Sequence, residues 1–150
     1  MAQPIQLTPK DVDELLGSLK KLLEYWMRIK LVLVRAFGGE SIGREHESAF
    51  LQLKSDVSRT YRIITTRLPE GLAFEGDKMI EMLKNAINME QLRSLPVAEK
   101  QSIYATWHRV YIRITRTYGA MEVMHAGFFP HHRQRLKPWT VAQKGSGGKK

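Results

Sequence analysis

The chain of 150 residues contains no cysteine, and this absence excludes several kinds of chemistry at once. Without thiols there are no disulfides, no thiolate metal sites and no cysteine nucleophile. The lack of cysteine suits a reducing compartment, and we expect the protein in the cytoplasm. Hydrophobic residues make up 43% of the chain, so we expect a folded domain with a core of its own rather than general disorder.

Long hydrophobic runs are also missing. The longest is Leu31 to Val34, and it lies between Lys30 and Arg35. A membrane-spanning helix needs about 20 apolar residues, so we expect no membrane span. The first ten residues lack the basic and apolar regions of a secretory signal, and we expect none.

Acidic residues are absent from the C-terminal segment. The whole chain has 24 Lys and Arg against 15 Asp and Glu, which gives a net charge of +9. Residues 127–150 hold six of these cations and none of the acids. A segment of this kind binds acidic partners such as nucleic acid, an anionic membrane or an acidic protein surface. We therefore divide the chain into a helical bundle at 1–126 and a basic, aromatic-containing tail at 127–150, flexible over its final Gly, Ser and Lys residues.

Apolar residues recur at spacings of three and four in three long segments, which is typical of amphipathic helices. We predict long helices at about 8–37, 44–68 and 96–126 and a short helical insert at about 77–93. No alternating strand pattern occurs, so we predict an all-α fold, an up-and-down bundle of three long helices plus the insert. In the first helix the apolar positions are Val12, Leu15, Leu16, Leu19, Leu22, Leu23, Trp26, Met27, Leu33, Val34 and Phe37.

The last predicted helix carries a heptad-like apolar seam that needs a long neighbouring helix to cover it. Its members are Tyr104, Trp107, Tyr111, Ile114, Tyr118, Met121 and His125. Large aromatic residues at such positions predict a core that contains Trp26, Phe50, Tyr61, Trp107 and Tyr111. The breadth of the apolar stripes also leaves a homo-oligomer open.

Catalytic and metal-binding patterns are incomplete throughout the chain. Glu122 and His125 have the Glu-x-x-His spacing of di-iron bundles, but that chemistry needs a second such pair and two further glutamates. The pair His131-His132 has no carboxylate in its segment. No Gly-x-Ser-x-Gly or phosphate-loop pattern occurs. We therefore expect a protein that is not an enzyme, with no cofactor and no metal site.

Arginines form acid-poor rows on two of the predicted helices. Arg109, Arg113 and Arg116 share one helix face, and no acid occurs between Glu99 and Glu122. A second row, Arg59, Arg62 and Arg67, follows Asp56 on the preceding long helix. Such rows can track phosphates, with hydroxyls nearby for neutral contacts at Thr60, Thr65, Thr66 and Thr115. The alternative is a solvated face that pairs with acids elsewhere in the bundle.

The tail mixes aromatic residues with the cations Arg133, Arg135 and Lys137. Aromatics beside arginines stack on unpaired bases, anchor in a membrane interface or fill a groove of a partner protein. For Phe128 and Phe129 we expect instead that the rings fold back onto the end of the bundle, with contact to a partner as the alternative. Trp139, between Pro138 and Thr140, is the better candidate for an outside partner.

These observations favour a non-catalytic accessory or assembly protein that binds nucleic acid, or a nucleoprotein complex, without reading its sequence. The alternative is a helical scaffold or adaptor that docks on another protein through its helical seam and tail, with Phe128, Phe129 and Trp139 as contacts. RNA, DNA and an acidic protein surface all remain open as partners. The residues predicted to contact nucleic acid are Arg59, Arg62, Arg109, Arg113, Arg116, Arg133, Arg135 and Lys137.

Overall fold

The computed structural model describes residues 7–68, 74 and 76–128, and this part of the chain contains five helices and no strand. The predicted all-α class is therefore confirmed. The predicted tail lies outside the described residues from position 129 onward. The helices are α1 (Pro9–Gly38), α2 (Arg44–Thr65), α3 (Gly76–Asn85), α4 (Met89–Arg93) and α5 (Val97–Phe128).

Both ends of α1 follow from local chemistry. The Thr8 hydroxyl accepts from the Asp11 N–H at 3.1 Å, and the Asp11 carboxylate accepts from the Thr8 N–H at 3.1 Å. This reciprocal capping box satisfies two N–H groups that the first turn leaves without helical partners, and Pro9 starts the helix with its φ already set. Gly39 ends α1 at a φ of 83°, a left-handed conformation that favours glycine.

The predicted insert consists of two helices, α3 and α4, and the break at Asn88 agrees with the capping preference of asparagine. The Asn88 side chain accepts from the Gln91 N–H at 2.7 Å and starts α4. Two other helix ends differ from the predicted ones. Helix α2 ends at Thr65 instead of 68, where the hydroxyls of Thr65 and Thr66 donate to carbonyls of the preceding turn. Helix α5 continues through the glycine at 127 and ends at Phe128.

Helix α1 packs against both other long helices. It makes its most extensive contacts with α5 and α2, while α3 packs against α5 and α2, and α4 packs against α1 and α2. Arg67, just after α2, pairs with Glu14 near the start of α1. His125, near the end of α5, lies against Asp13. Both α2 and α5 therefore run antiparallel to α1.

Two tryptophans join α1 to α5 in the core. The rings of Trp26 and Trp107 stack with centroids 6.3 Å apart and an interplanar angle of 3°. Each indole N–H donates to the other residue's backbone carbonyl, at 3.0 Å from Trp26 and 2.8 Å from Trp107. Because a buried indole N–H needs an acceptor, the reciprocal bonds allow both rings to be buried together. Tyr111 extends the stack, with its ring 5.2 Å from that of Trp107.

The predicted core is confirmed in part. Trp26, Phe50 and Trp107 are buried, whereas Tyr61 and Tyr111 are only half-buried, so the prediction for the two tyrosines was wrong. A phenol at the core boundary keeps its ring in apolar contact and its hydroxyl near polar partners. The Tyr61 hydroxyl donates to Asp77 at 3.4 Å. Burial raises the pKa of this hydroxyl, and the Asp77 carboxylate raises it further.

The short helix α4 is fixed at the end of the long helices by two charged side chains. The Arg93 guanidinium donates to the carbonyls of Ala36 and Arg35, each at 2.9 Å, and to that of Glu40. Arg35 and Ala36 belong to the last turn of α1, whose carbonyls lack N–H partners in a regular helix, so Arg93 satisfies the C-terminal end of that helix. The Glu47 carboxylate of α2 accepts from the first two N–H groups of α4, at 2.7 and 3.2 Å.

Candidate nucleic-acid interface

The arginine row of α5 lies on the surface. Arg109, Arg113 and Arg116 are all exposed, and their spacing of four and three residues places them on one side of the helix. The row covers about 10 Å along the helix axis at 1.5 Å per residue. The residues of α5 that are buried lie on its other sides, at Trp107, Val110, Ile114, Thr117, Met121 and His125.

The charge of this row is not neutralised by its own helix. No acid occurs on α5 between Glu99 and Glu122. Within residues 7–68, 74 and 76–128, Arg109 and Arg116 form no ion pair. Arg113 is exposed and also interacts within the chain. The row therefore presents at least two guanidinium groups whose donors can contact an outside anion.

A groove of about 480 Å³ runs between α3 and α5 beside this row. Two cations, Lys78 and Arg109, and two acids, Glu81 and Glu99, line it. Because these charges balance, the groove itself offers no net attraction to an anion. The positive field of α5 is therefore centred on the outer part of the row rather than in the groove.

The second predicted row, on α2, is partly neutralised. Arg59 pairs with Asp56 at 2.7 Å, three residues before it on the same helix. Arg67, the last member of the predicted row, lies just beyond the end of α2 and pairs with Glu14 and Asp11 of α1. Arg62 is exposed and forms no ion pair within the described part of the chain. For Arg59 and Arg67 the structure thus agrees with the alternative interpretation of the row, in which the cations pair with acids of the same chain.

Helix α3 separates the two rows. It packs against α2 on one side and α5 on the other. Its charged residues Asp77, Lys78, Glu81 and Lys84 are all exposed and sum to zero. The rows of α2 and α5 therefore do not merge into one basic surface across α3.

The hydroxyls expected to assist the arginines are already engaged. Thr65, Thr66 and Thr115 each donate to a backbone carbonyl of their own helix, at 3.1, 2.7 and 2.8 Å. Thr60 is buried. Since a hydroxyl has one proton to donate, Thr65, Thr66 and Thr115 donate to the backbone in this conformation, and phosphate contacts from these threonines stay a prediction.

Most of the predicted contact residues near the C-terminus lie beyond the last described residue, Phe128. Phe129, Arg133, Arg135, Lys137 and Trp139 lie outside the described residues, and their roles remain predictions. Phe128 is the last residue of α5, and its side chain is 43% exposed. Its position leaves the phenyl ring accessible to a partner at the end of the helix.

His125, the last member of the predicted seam, is buried between α5 and α1. Its side chain is 2% exposed, and its Nε2 lies 3.0 Å from a carboxylate oxygen of Asp13 on α1. Because α5 continues to Phe128, His125 lies in a full turn that packs on α1. The described residues contain no group of three or more His, Asp or Glu side chains arranged to hold a metal ion.

The seam of α5 faces α1 within the chain. Trp107, Val110 and Ile114 are buried there, so a partner that used this seam would have to displace α1.

Helix α1 carries an exposed apolar row that the periodicity of the sequence did not predict. Met27 and Val34, predicted to lie on the buried face, are each 44% exposed, and Leu31 is 68% exposed.

Comparison with known protein families, curated protein sequences and solved structures finds no match to this chain. In the described part of the chain, no helix combines the length and the apolar character that a membrane crossing requires. The proposed function therefore rests on the surface chemistry of the helices.

Proposed function

We propose that this protein is a non-catalytic accessory or assembly protein that binds nucleic acid, or a nucleoprotein complex, through phosphate contacts along α5. The observation that carries the proposal is the exposed row Arg109, Arg113 and Arg116 on a helix stretch that lacks acids. A guanidinium group offers a planar fork of donors that matches two phosphate oxygens. Phosphate contacts of this kind position a protein on nucleic acid without reading bases.

The row on α5 is the primary contact in this proposal, and α2 is secondary. Arg62 is available on α2, but Arg59 must exchange its contact with Asp56 for a phosphate. This exchange reduces the gain from binding, since one ion pair replaces another. Removing α5 cations should therefore cost more affinity than removing α2 cations.

The proposal also includes the arrangement of the long helices and of the segment that follows them. Three long helices form an up-and-down bundle that holds α5 rigid, and a flexible basic tail follows it in a cytoplasmic protein. Arg133, Arg135 and Lys137 add cations beyond the end of α5, and Phe128, Phe129 and Trp139 add aromatic contacts. An extended basic tail increases the area over which the protein meets phosphates.

Charge reversal on α5 tests this proposal directly. Full-length protein is titrated into labelled single- and double-stranded DNA and RNA oligonucleotides at low salt, and anisotropy is recorded. The variant Arg109→Glu/Arg113→Glu/Arg116→Glu should lose at least about tenfold in affinity, because three favourable phosphate contacts become repulsive. The matched control Lys10→Glu/Lys20→Glu/Lys21→Glu makes the same change in net charge on α1 and should lose much less.

A second variant separates binding from folding. Because Arg113 also interacts within the chain, its reversal can disturb the helix. The double variant Arg109→Gln/Arg116→Gln leaves Arg113 in place and should still weaken binding. Equal loss in the α1 control and the α5 variants would show that only net charge matters, and it would contradict a site on α5.

A further inference from the structure

An apolar row lies exposed on the C-terminal half of α1. Met27, Leu31 and Val34 are separated by four and three residues, which is the spacing of the two apolar positions in a heptad repeat. The row is therefore one side chain wide and about 10 Å long. These side chains keep between 44% and 68% of their surface exposed, so the described part of the chain does not cover them.

Cations flank this row on both sides. Arg28 and Arg35 each directly follow an apolar seam residue, and Lys30 precedes Leu31 on the opposite flank. These are the heptad positions whose charges determine the charge of a partner helix. Lys30 lies 4.9 Å from the centroid of the Trp107 ring, so that flank borders α5. Between Glu14 and Glu40 the only acid on α1 is Glu24, which adjoins Met27 on the same face, so cations outnumber acids around the row on this helix.

These flanking charges argue against two occupants from the protein itself. In an antiparallel pair of α1 helices centred on Leu31, Arg28 of one copy would face Arg35 of the other. In a parallel pair, Lys30 would face Arg35, so like charges would meet in both arrangements. The tail at 127–150 contains no acid, so it would be repelled from the same surface.

The width of the row argues against a membrane. Helices that lie in a membrane interface insert a broad apolar face between their flanking cations. A single line of apolar side chains instead matches the seam of one partner helix, as in coiled coils.

We infer that the row Met27, Leu31 and Val34, with Arg28, Lys30 and Arg35 beside it, is the docking site for an amphipathic helix of another protein. That helix would carry apolar residues along its seam and carboxylates at the flanking positions. The site is separate from the α5 row, so it adds a protein contact to the proposed nucleic-acid contact. A partner held there would be brought next to nucleic acid bound on α5.

A synthetic peptide of four heptads provides the probe. It carries Leu at the seam positions and Glu at the flanking positions, and repulsion between its own glutamates disfavours self-association. Titrated with full-length protein, the peptide should bind and gain helicity by circular dichroism. A control peptide with Lys in place of every Glu should not bind.

Two variants of the protein locate the contact. Leu31→Ser should weaken peptide binding by about tenfold or more, because buried apolar anchors dominate such interfaces. The same substitution at Leu51, which is 56% exposed on α2, is the matched control and should leave binding unchanged. Arg28→Glu should weaken binding of the Glu peptide and strengthen binding of the Lys peptide. All three positions are on the surface, and thermal unfolding verifies that each variant remains folded.

Four outcomes would overturn the inference. Equal binding of both peptides would remove the charge argument, and equal effects of Leu31→Ser and Leu51→Ser would remove the site. A dimer in sedimentation that Leu31→Ser abolishes would assign the row to a second copy. Binding to phosphatidylserine vesicles that Leu31→Ser abolishes, with no peptide binding, would assign it to a membrane. The variant Arg109→Gln/Arg116→Gln should leave peptide binding unchanged, so this result is independent of the nucleic-acid proposal.

Discussion

At the scale of single residues, the packing of Tyr61 depends on the absence of a side chain at Gly76. Gly76 is the first residue of α3 and is buried, and a Cβ atom built there would overlap the Tyr61 ring. Tyr61 is held in place by the edge of Phe74, whose ring centroid is 5.8 Å away. The contact between α2 and α3 therefore requires glycine at this position.

Gly76→Ala should lower the free energy of unfolding by about 1–3 kcal/mol, because the added methyl group must displace the Tyr61 ring. Gly17→Ala provides the control, since nothing lies within 4 Å of the position where its Cβ would be. That change at an exposed position in the interior of α1 should stabilise the protein by about 0.5–1 kcal/mol. Urea unfolding measures both, and a Gly76→Ala variant as stable as Gly17→Ala would contradict the packing described here.

The capping residue Asp11 links stability to pH. Hydrogen bonding to the Thr8 backbone N–H lowers the pKa of the Asp11 carboxyl below its ordinary value of 3.8, and the Thr8 hydroxyl contributes further. A folded-state pKa below the unfolded value means that the stabilisation is complete above 3.8 and is lost as pH falls through the folded pKa. Asp11→Asn should therefore be less stable than the parent at neutral pH, and the difference should shrink in acid. A difference that is constant from pH 7 to about pH 2 would contradict this linkage.

At the scale of helices, the ends of α1 and the start of α4 at Asn88 could be predicted from neighbouring residues, while the distant contact that fixes α4 could not. Thr8, Pro9 and Gly39 act within one turn of the helix, so the local sequence contains their signal. The separation of α3 from α4 depends also on Glu47, which is 42 residues before the N–H of Met89 that it binds. The spacing of residues along the sequence does not reveal such a distant contact.

Arg93 links α4 to the last turn of α1 through hydrogen bonds to the carbonyls of Arg35 and Ala36. Arg93→Ala should destabilise the protein by about 2–4 kcal/mol, because it leaves carbonyl groups at the C-terminus of α1 without their charged donor. Arg44→Ala removes an exposed cation at the start of α2 and serves as the control, with an expected change within about 0.5 kcal/mol. Chemical unfolding of both variants provides the comparison. If the two variants are equally stable, Arg93 does not hold α4 in place.

The exposed row of α1 shows why helical periodicity alone did not identify its buried face. Apolar residues on α1 extend around more than one side of the helix, and periodicity assigns all of them to the core. The structure divides them, since Leu33 is buried whereas Met27 and Val34 are not. The positions of α5 and α2 decide which residues are covered, and these positions follow from tertiary packing.

At the scale of the whole molecule, counting charges predicted the basic rows and left open which of their cations pair with acids of the same chain. The absence of acids from the middle of α5 is visible in the sequence, and the structure places Arg109 and Arg116 on the surface. The pairing of Arg67 with Glu14 joins residues 53 positions apart, so only the fold reveals it. In the described part of the chain, the row on α5 is therefore less neutralised by ion pairs than the row on α2.

The salt dependence of nucleic-acid binding tests the central claim most directly. Anisotropy titrations of the parent protein and Arg109→Gln/Arg116→Gln are recorded over a series of salt concentrations. The logarithm of the binding constant should fall linearly with the logarithm of salt concentration, and the slope should become shallower by about 1.4–1.8 in the variant, or about 0.7–0.9 for each phosphate contact removed. Absence of binding at low salt, or the same slope for both proteins, would contradict a phosphate-binding role for α5.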